Sequence, residues 1–159
     1  MRTKVQDLIQ KNGVITGLKP AGKFEALVTV ASFLCSVNGL PDADIVSGKI
    51  VDREKEMSTG IGYGIAIPHA RLSGIDRLYM VAARVAEGIE FDSLDGAPVN
   101  LIFMMISPAS TSTDHTQVLS ALSQIMSYED VRKQLLEAES PEAFVDIIAA
   151  AETKYIGMI

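Results

Sequence analysis

The chain contains two histidines, His69 and His115, and each lies at the predicted end of a secondary-structure element. A neutral imidazole, with a reference pKa of about 6.5, keeps a nitrogen lone pair near neutral pH and can act as a nucleophile or as a metal ligand. Neither histidine falls on an apolar stripe, and both adjoin segments rich in glycine or in serine and threonine. Because such loops display functional groups, both residues are candidates for chemistry, although a lone histidine is more commonly structural.

His69 has a distinctive sequence context. Arg53 and Glu54 precede it, Ser-Thr-Gly-Ile-Gly occupies residues 58–62, and Gly-Ile-Ala-Ile-Pro-His-Ala-Arg occupies residues 64–71. This stretch resembles the phosphorylation-site signature of enzyme IIA proteins of the phosphoenolpyruvate-dependent phosphotransferase system, in the fructose, mannitol and nitrogen-regulatory branch. The sequence pattern of that family also includes a second histidine farther along, at the start of a helix that follows an apolar strand. His115 matches this part of the pattern. The resemblance therefore covers nearly the whole chain.

The resemblance implies a phosphohistidine relay. In such a relay the histidine phosphocarrier protein donates a phosphoryl group to His69, a downstream protein accepts it, and neither a cofactor nor a metal ion is needed. The resemblance also implies that Arg53 binds the phosphoryl oxygens and that His115 assists the transfer without carrying the group. Negative charge on the equatorial oxygens of the transition state calls for donors of this kind. Without the resemblance, Arg53 would be interpreted as a solvated charge at a helix end.

Two branches of the family remain open as the cellular role. Residues 58–69 are most similar to nitrogen-regulatory and fructose-type members, and the lack of an attached transporter or IIB segment favours a regulatory phosphocarrier. The alternative is a sugar-specific enzyme IIA that passes the phosphoryl group to a IIB domain. A third possibility is a binding module in which the phosphorylation state of His69 switches contact with a regulatory target. Tyr63 departs from some sugar-transport branches of the family, in which an acidic residue stands six positions before the active histidine.

A different class of function would be a metal-dependent hydrolase. Two histidines and one carboxylate can bind a metal ion, so His69 and His115 could in principle belong to such a site. The sequence contains no closely spaced ligand motif such as His-Glu-x-x-His to support it. The hydroxyl groups of Ser58 and Thr59 are more typical of turn geometry than of catalysis.

Composition excludes several other classes of function. A formal charge of -6 disfavours nucleic-acid binding, which requires a basic face. Arg71 and Arg77 could dock an acidic partner surface, although loop arginines more commonly provide solubility.

The single cysteine, Cys35, excludes an internal disulfide and is expected in the core. The start of the chain lacks a signal-peptide pattern and the longest apolar run, residues 101–106, is too short to span a membrane, so we expect a cytoplasmic protein without membrane insertion.

Hydrophobic periodicity predicts two helices before the glycine-rich segment, over residues 21–38 and 41–55. Gly39 is placed to end the first, and Arg53 lies at the C-terminal end of the second. The apolar face predicted for the first helix consists of Phe24, Leu27, Val28, Ala31 and Leu34.

Three helices are predicted in the last third of the chain. The first follows a Ser/Thr-rich loop over residues 107–113 and has Thr113 or Asp114 as its N-cap, so that His115 lies in its first turn. The others begin at Ser127 and at Ser140, which Pro141 follows.

Strands are predicted over residues 65–67, 78–85 and 99–106, and the last is apolar on both faces and therefore central. Strands interleaved with helices indicate a single α/β domain over residues 1–159, with a mixed sheet of about four or five strands flanked by helices. The enzyme IIA resemblance implies the same fold. The candidate site is expected near the C-terminal end of the strand before Pro68.

Overall fold

The computed structural model describes residues 3–110 and 113–157. Within these residues, six strands form one mixed sheet and five α-helices cover its faces. The strands are β1 (Val14–Ile15), β2 (Gly60–Gly62), β3 (Ile65–Ala66), β4 (His69–Leu72), β5 (Tyr79–Ile89) and β6 (Val99–Pro108). The helices are α1 (Lys23–Asn38), α2 (Ala43–Glu56), α3 (Thr113–Met126), α4 (Glu129–Glu137) and α5 (Pro141–Tyr155). The predicted α/β class is confirmed, with one or two more strands than expected.

Strand β6 is the centre of the sheet, as its continuous apolar sequence predicted. It pairs antiparallel with β5 on one side and parallel with both β3 and β4 on the other. Strand β1 adds to β5 in parallel, and β2 adds to β3 in antiparallel orientation. Because β4 lies beside the C-terminal half of β6, His69 is placed next to Met105 and Arg71 next to Ser107.

The side chains of β6 alternate between two apolar clusters, one on each face of the sheet. Leu101, Phe103 and Met105 pack in the cluster that includes α3, α4 and α5. The next residues along the strand, Ile102 and Met104, pack with α1 and α2. The result is three layers, with helices on both faces of one sheet, and it is the period of two along a strand that divides the core in this way.

Helix α1 begins two residues later than predicted and ends at Asn38, as predicted. Gly39 adopts the left-handed conformation, with φ 64°, and the next N–H, that of Leu40, donates to the carbonyl of Cys35. This is a common way for a glycine to end a helix. The predicted apolar face is partly wrong, because Phe24 and Val28 are each 45% exposed. The helix buries the adjacent stripe instead, which consists of Ala26, Leu27, Val30, Ala31, Leu34 and Cys35.

The segment around the candidate site differs most from prediction. The glycine-rich residues 60–62 form a strand rather than a loop, because they pair antiparallel with β3. The strand predicted to end before Pro68 is interrupted there and resumes as β4, with His69 as its first residue. Proline lacks an N–H, but its carbonyl still accepts a hydrogen bond from Met105 at 2.9 Å, so the chain stays beside β6.

The last helices follow the predicted order, but one predicted cap is wrong. The Ser127 hydroxyl donates to the carbonyl of Gln124 at 2.6 Å and so belongs to the end of α3, while α4 begins at Glu129. The cap predicted for α5 is confirmed, because the Ser140 hydroxyl oxygen accepts a hydrogen bond from the backbone N–H of Ala143. In the described residues, no helix combines the length and apolar character needed to cross a membrane.

Candidate functional site

Three elements bring the predicted site residues to one open cleft. Arg53 lies in the last turn of α2, His69 begins β4, and His115 lies in the first turn of α3. The cleft has a volume of about 680 Å³. Its lining also includes Lys49, Asp52, Glu56, Ala70, Arg71, Thr116 and Leu119. Residues far apart in sequence thus meet in one cleft.

The hydrogen bonding of His69 determines which ring nitrogen is available. Its Nδ1 lies 2.8 Å from the carbonyl oxygen of Ile67, and a carbonyl only accepts, so Nδ1 carries the proton. Burial lowers the pKa of His69 below its usual value of 6.5, and the charges of Arg53 and Arg71 act in the same direction. The ring is therefore neutral at pH 7. Its Nε2 consequently has an unprotonated lone pair.

His115 is more deeply buried than its position at a helix start suggested. Its side chain is 4% exposed and lies on the buried side of α3 together with Val118 and Leu122, so the expectation that it avoids the apolar face is wrong. Burial lowers its pKa to about 4, and the charges of Arg71 and His69 contribute. Desolvation is the largest of these causes. His115 is neutral at pH 7.

The two imidazole rings are neighbours. Their centroids are 5.2 Å apart and the rings meet edge to face, at 73°. A tetrahedral group bonded to His69 would therefore lie within reach of the ring of His115.

Arg53 has a local contact as well as a place in the cleft. Its Nη1 donates to the carbonyl of Met57 at 2.9 Å, which satisfies a backbone acceptor just beyond the last turn of α2. This is the helix-end role that the residue type alone suggested. A guanidinium has five N–H donors in a planar fork, so this contact leaves capacity to bind an anion.

The remaining polar candidates have structural contacts. The Ser58 hydroxyl donates to the carbonyl of Phe91, and the Thr59 hydroxyl donates to Glu54. Tyr63, at the position where an acidic residue was noted in sugar-transport members, is 64% exposed and lies against the guanidinium of Arg132. The Ser58 hydroxyl oxygen also accepts a hydrogen bond from the N–H of Gly60, which is a turn contact, whereas its bond to Phe91 joins distant parts of the chain.

Most of the chain matches one family of known proteins. Residues 7–151 match the family model described as phosphoenolpyruvate-dependent sugar phosphotransferase system, EIIA 2. The chain belongs to this family. The match covers all three residues of the cleft that the sequence singled out, and it agrees with the resemblance found around His69.

The relatives of this enzyme IIA chain carry both sugar-specific and regulatory names. A fructose-specific EIIA component of Haloferax volcanii is 41% identical over 130 residues, which is 82% of this chain and 84% of that protein. A nitrogen regulatory protein of Bradyrhizobium diazoefficiens is 28% identical over 145 residues, or 91% and 94% of the two chains. The crystal structure of the nitrogen regulatory protein IIA-Ntr from Neisseria meningitidis superposes with a TM-score of 0.85, at 28% identity, covering 91% of this chain and 98% of that one.

The described residues of the enzyme IIA chain contain no cluster of metal ligands that would support a metal-dependent hydrolase. Within residues 3–110 and 113–157, no three His, Cys, Asp or Glu side chains lie close enough together to hold a metal ion. In that part of the chain, no third side chain of these types therefore completes a metal site with the two histidines.

Sequence reasoning missed Ser107, which contacts His115. Ser107 was assigned to a loop, but β6 extends to Pro108 and buries Ser107 completely. Its Oγ lies 2.5 Å from Nδ1 of His115. Continuing the strand alternation past residue 106 would have placed Ser107 on the same face as Met105, toward α3.

Proposed function

We propose that this enzyme IIA chain is a phosphocarrier that accepts a phosphoryl group on Nε2 of His69 from the histidine phosphocarrier protein and passes it to a second protein. The observation that carries the proposal is the hydrogen bond from Nδ1 of His69 to the carbonyl of Ile67. It leaves a neutral ring with its nucleophilic lone pair on Nε2 in an open, charged cleft. Membership of the family supports the same chemistry.

The transfer needs no cofactor. The lone pair of Nε2 forms the new N–P bond while the bond between phosphorus and the donor's histidine nitrogen breaks, and that electron pair returns to the donor's ring. The proton on Nδ1 of His69 stays in place, where the carbonyl of Ile67 stabilises the positive charge that the ring gains. The reverse sequence of events releases the group to the acceptor. Because the bond is a phosphoramidate, the group remains transferable.

Arg53 and His115 are proposed to stabilise the transferring group. The transition state spreads negative charge over three equatorial oxygens, so preorganised donors near Nε2 lower its energy. Arg53 supplies a full charge and a planar fork of donors. His115, neutral and 5.2 Å from His69 between ring centroids, supplies an N–H rather than a second nucleophile.

The proposed cellular role is regulatory, of the nitrogen type, in a cytoplasmic single-domain protein spanning residues 1–159. The similarity to IIA-Ntr over 91% of this chain supports this choice. The second candidate is a sugar-specific enzyme IIA, favoured by the 41% identity to a fructose-specific component. Mixing the phosphorylated chain with a fructose-type IIB domain separates the two, because stoichiometric transfer would favour the sugar-specific role.

The proposed acceptance step can be tested by intact-mass analysis. The chain is incubated with phosphoenolpyruvate, enzyme I and the histidine phosphocarrier protein, alongside His69→Ala and His115→Ala. We expect one acid-labile phosphoryl group on the wild type and on His115→Ala, and none on His69→Ala, because only His69 provides the nucleophile. Retained labelling of His69→Ala would refute the assignment. Loss of labelling in His115→Ala would show that His115 is required for acceptance as well.

A further inference from the structure

Ser107 is a buried hydroxyl at the end of β6, directly behind the candidate site. Its side chain is fully buried, and its Oγ lies 2.5 Å from Nδ1 of His115. Among residues 3–110 and 113–157, this is the one hydrogen-bond partner of the Ser107 hydroxyl. A hydroxyl carries one hydrogen, and a buried hydrogen without an acceptor costs on the order of 1–3 kcal/mol.

That cost decides the direction of the hydrogen bond. If Nδ1 of His115 donated to Ser107, the hydroxyl hydrogen would have no acceptor among the described residues. If Ser107 donates to Nδ1, both groups are satisfied. His115 is neutral, so a ring that accepts at Nδ1 must carry its proton on Nε2. This nitrogen is at the tip of the ring, which lines the cleft beside His69.

We propose that Ser107 is a positioning residue that fixes the tautomer of His115, so that the Nε2–H of His115 faces the phosphoryl group carried by His69. This inference rests on the proposed function. The two histidines then have opposite tautomers. The carbonyl of Ile67 holds the proton of His69 on Nδ1 and leaves a lone pair in the cleft, whereas Ser107 holds the proton of His115 on Nε2 and presents a donor.

The opposite tautomers explain how two histidines in one cleft can have different roles. One is a nucleophile and the other is a hydrogen-bond donor. With the other tautomer, His115 would present a lone pair to the phosphoryl oxygens and repel them. A neutral donor has a further use, because it stabilises the phosphoryl group without the strong charge attraction that would slow its release. The sheet fixes the geometry, since Ser107 is the register partner of Arg71 on the strand that begins with His69.

Long-range ¹H–¹⁵N NMR correlation of the imidazole rings measures these tautomers directly in the unphosphorylated protein at pH 7. We expect Nε2–H for His115 and Nδ1–H for His69 in the wild type. In Ser107→Ala, His115 should become a mixture of tautomers and transfer from His69 to an acceptor should slow by roughly tenfold, as expected for one lost hydrogen bond. Ser107→Thr keeps the hydroxyl and should retain the tautomer and a rate within about twofold of wild type.

A matched control is Ser93→Ala, which removes another buried hydroxyl. Among the described residues the Ser93 hydroxyl oxygen has no hydrogen-bond partner, so its removal should leave both tautomers unchanged. An Nδ1–H tautomer for His115 in the wild type would overturn the inference without requiring any variant. So would a Ser107→Ala protein with pure Nε2–H and the wild-type transfer rate. If the wild type shows the expected tautomers but is never phosphorylated, the tautomer assignment stands and the proposed function fails.

Discussion

Glu54 accepts two hydrogen bonds from Thr59, one from its backbone N–H at 2.8 Å and one from its hydroxyl at 2.6 Å. The same carboxylate lies 3.0 Å from Nζ of Lys23, and Glu54 is 3% exposed. These contacts join the end of α2, which carries Arg53, to the start of β2 and to α1. A buried carboxylate with this set of donors fixes the position of the helix end beside the cleft.

Replacing Glu54 should therefore cost stability. In Glu54→Gln the charge of Lys23, which also donates to the carbonyl of Phe91, loses its counter-ion in a largely buried position. We expect the free energy of unfolding to fall by about 2–4 kcal/mol, measured by urea denaturation. Glu56→Gln, on the exposed side of the same turn, should change it by less than about 0.5 kcal/mol. Equal effects of the two substitutions would show that the buried network is not what stabilises this helix end.

Arg53 should affect the rate of phosphoryl transfer more than the fold. Arg53→Gln removes the charge and the donor fork, and we expect acceptance by His69 to slow by about 100-fold. Arg53→Lys keeps the charge but loses the fork, so a smaller loss of about tenfold is expected. Quenched-flow phosphorylation followed by mass analysis measures both rates. Arg77→Gln removes an exposed arginine outside the cleft and should leave the rate within about twofold. A wild-type rate in Arg53→Gln would assign Arg53 to helix capping alone.

The parts of the fold that were predictable depend on local sequence. Helix ends such as Gly39 and Ser140 act through neighbours a few residues away, and the apolar run of β6 identified the central strand directly. The signature around His69 is also local, which is why resemblance could identify the candidate nucleophile. Strand β1 was missed because two residues are too few to show a period of two.

The contacts that prediction missed join distant parts of the chain. The partners of Glu54 include Lys23 from α1, and the partner of His115 is Ser107 from β6. No periodicity records such pairs, because each depends on how the helices are placed on the sheet. The burial of His115 was missed for the same reason. The rotation of α3 about its own axis, which tertiary packing sets, decides which of its first-turn residues faces inward.

The buried histidine of α3 predicts acid sensitivity. The pKa of His115 is about 4 in the folded chain against 6.5 in the reference state, so between these values the unfolded chain binds more protons. Stability should therefore be fully present above about pH 6.5 and should fall as the pH drops toward about 4. The loss from this residue is at most about 3.5 kcal/mol, and less where solvent in the cleft screens the charge.

Urea denaturation from pH 7.5 to pH 4.5 tests this dependence on His115. His115→Gln cannot titrate, so its stability should change less over this range than that of the wild type. His69 contributes with the same sign, because burial also lowers its pKa, and some acid sensitivity should remain in the variant. Identical pH profiles for the two proteins would mean that His115 does not titrate with a lowered pKa.

Gly60 and Gly48 should respond to alanine in opposite directions. A Cβ on Gly60 would lie 3.0 Å from the Cα of Ser93, a backbone atom that cannot move aside, so Gly60→Ala should lower the free energy of unfolding by about 1–3 kcal/mol. Gly48 is exposed within α2 and nothing lies within 4 Å of the added Cβ. Gly48→Ala should instead raise the free energy of unfolding by about 0.5–1 kcal/mol, because alanine loses less backbone entropy in a helix.

A double-mutant cycle tests the contact between Gly60 and Ser93. Adding Ser93→Gly to Gly60→Ala removes part of the obstruction and should restore part of the lost stability. If Gly60→Ala is as stable as the wild type, β2 does not approach Ser93 as closely as described, and a glycine at that position is not required by the fold.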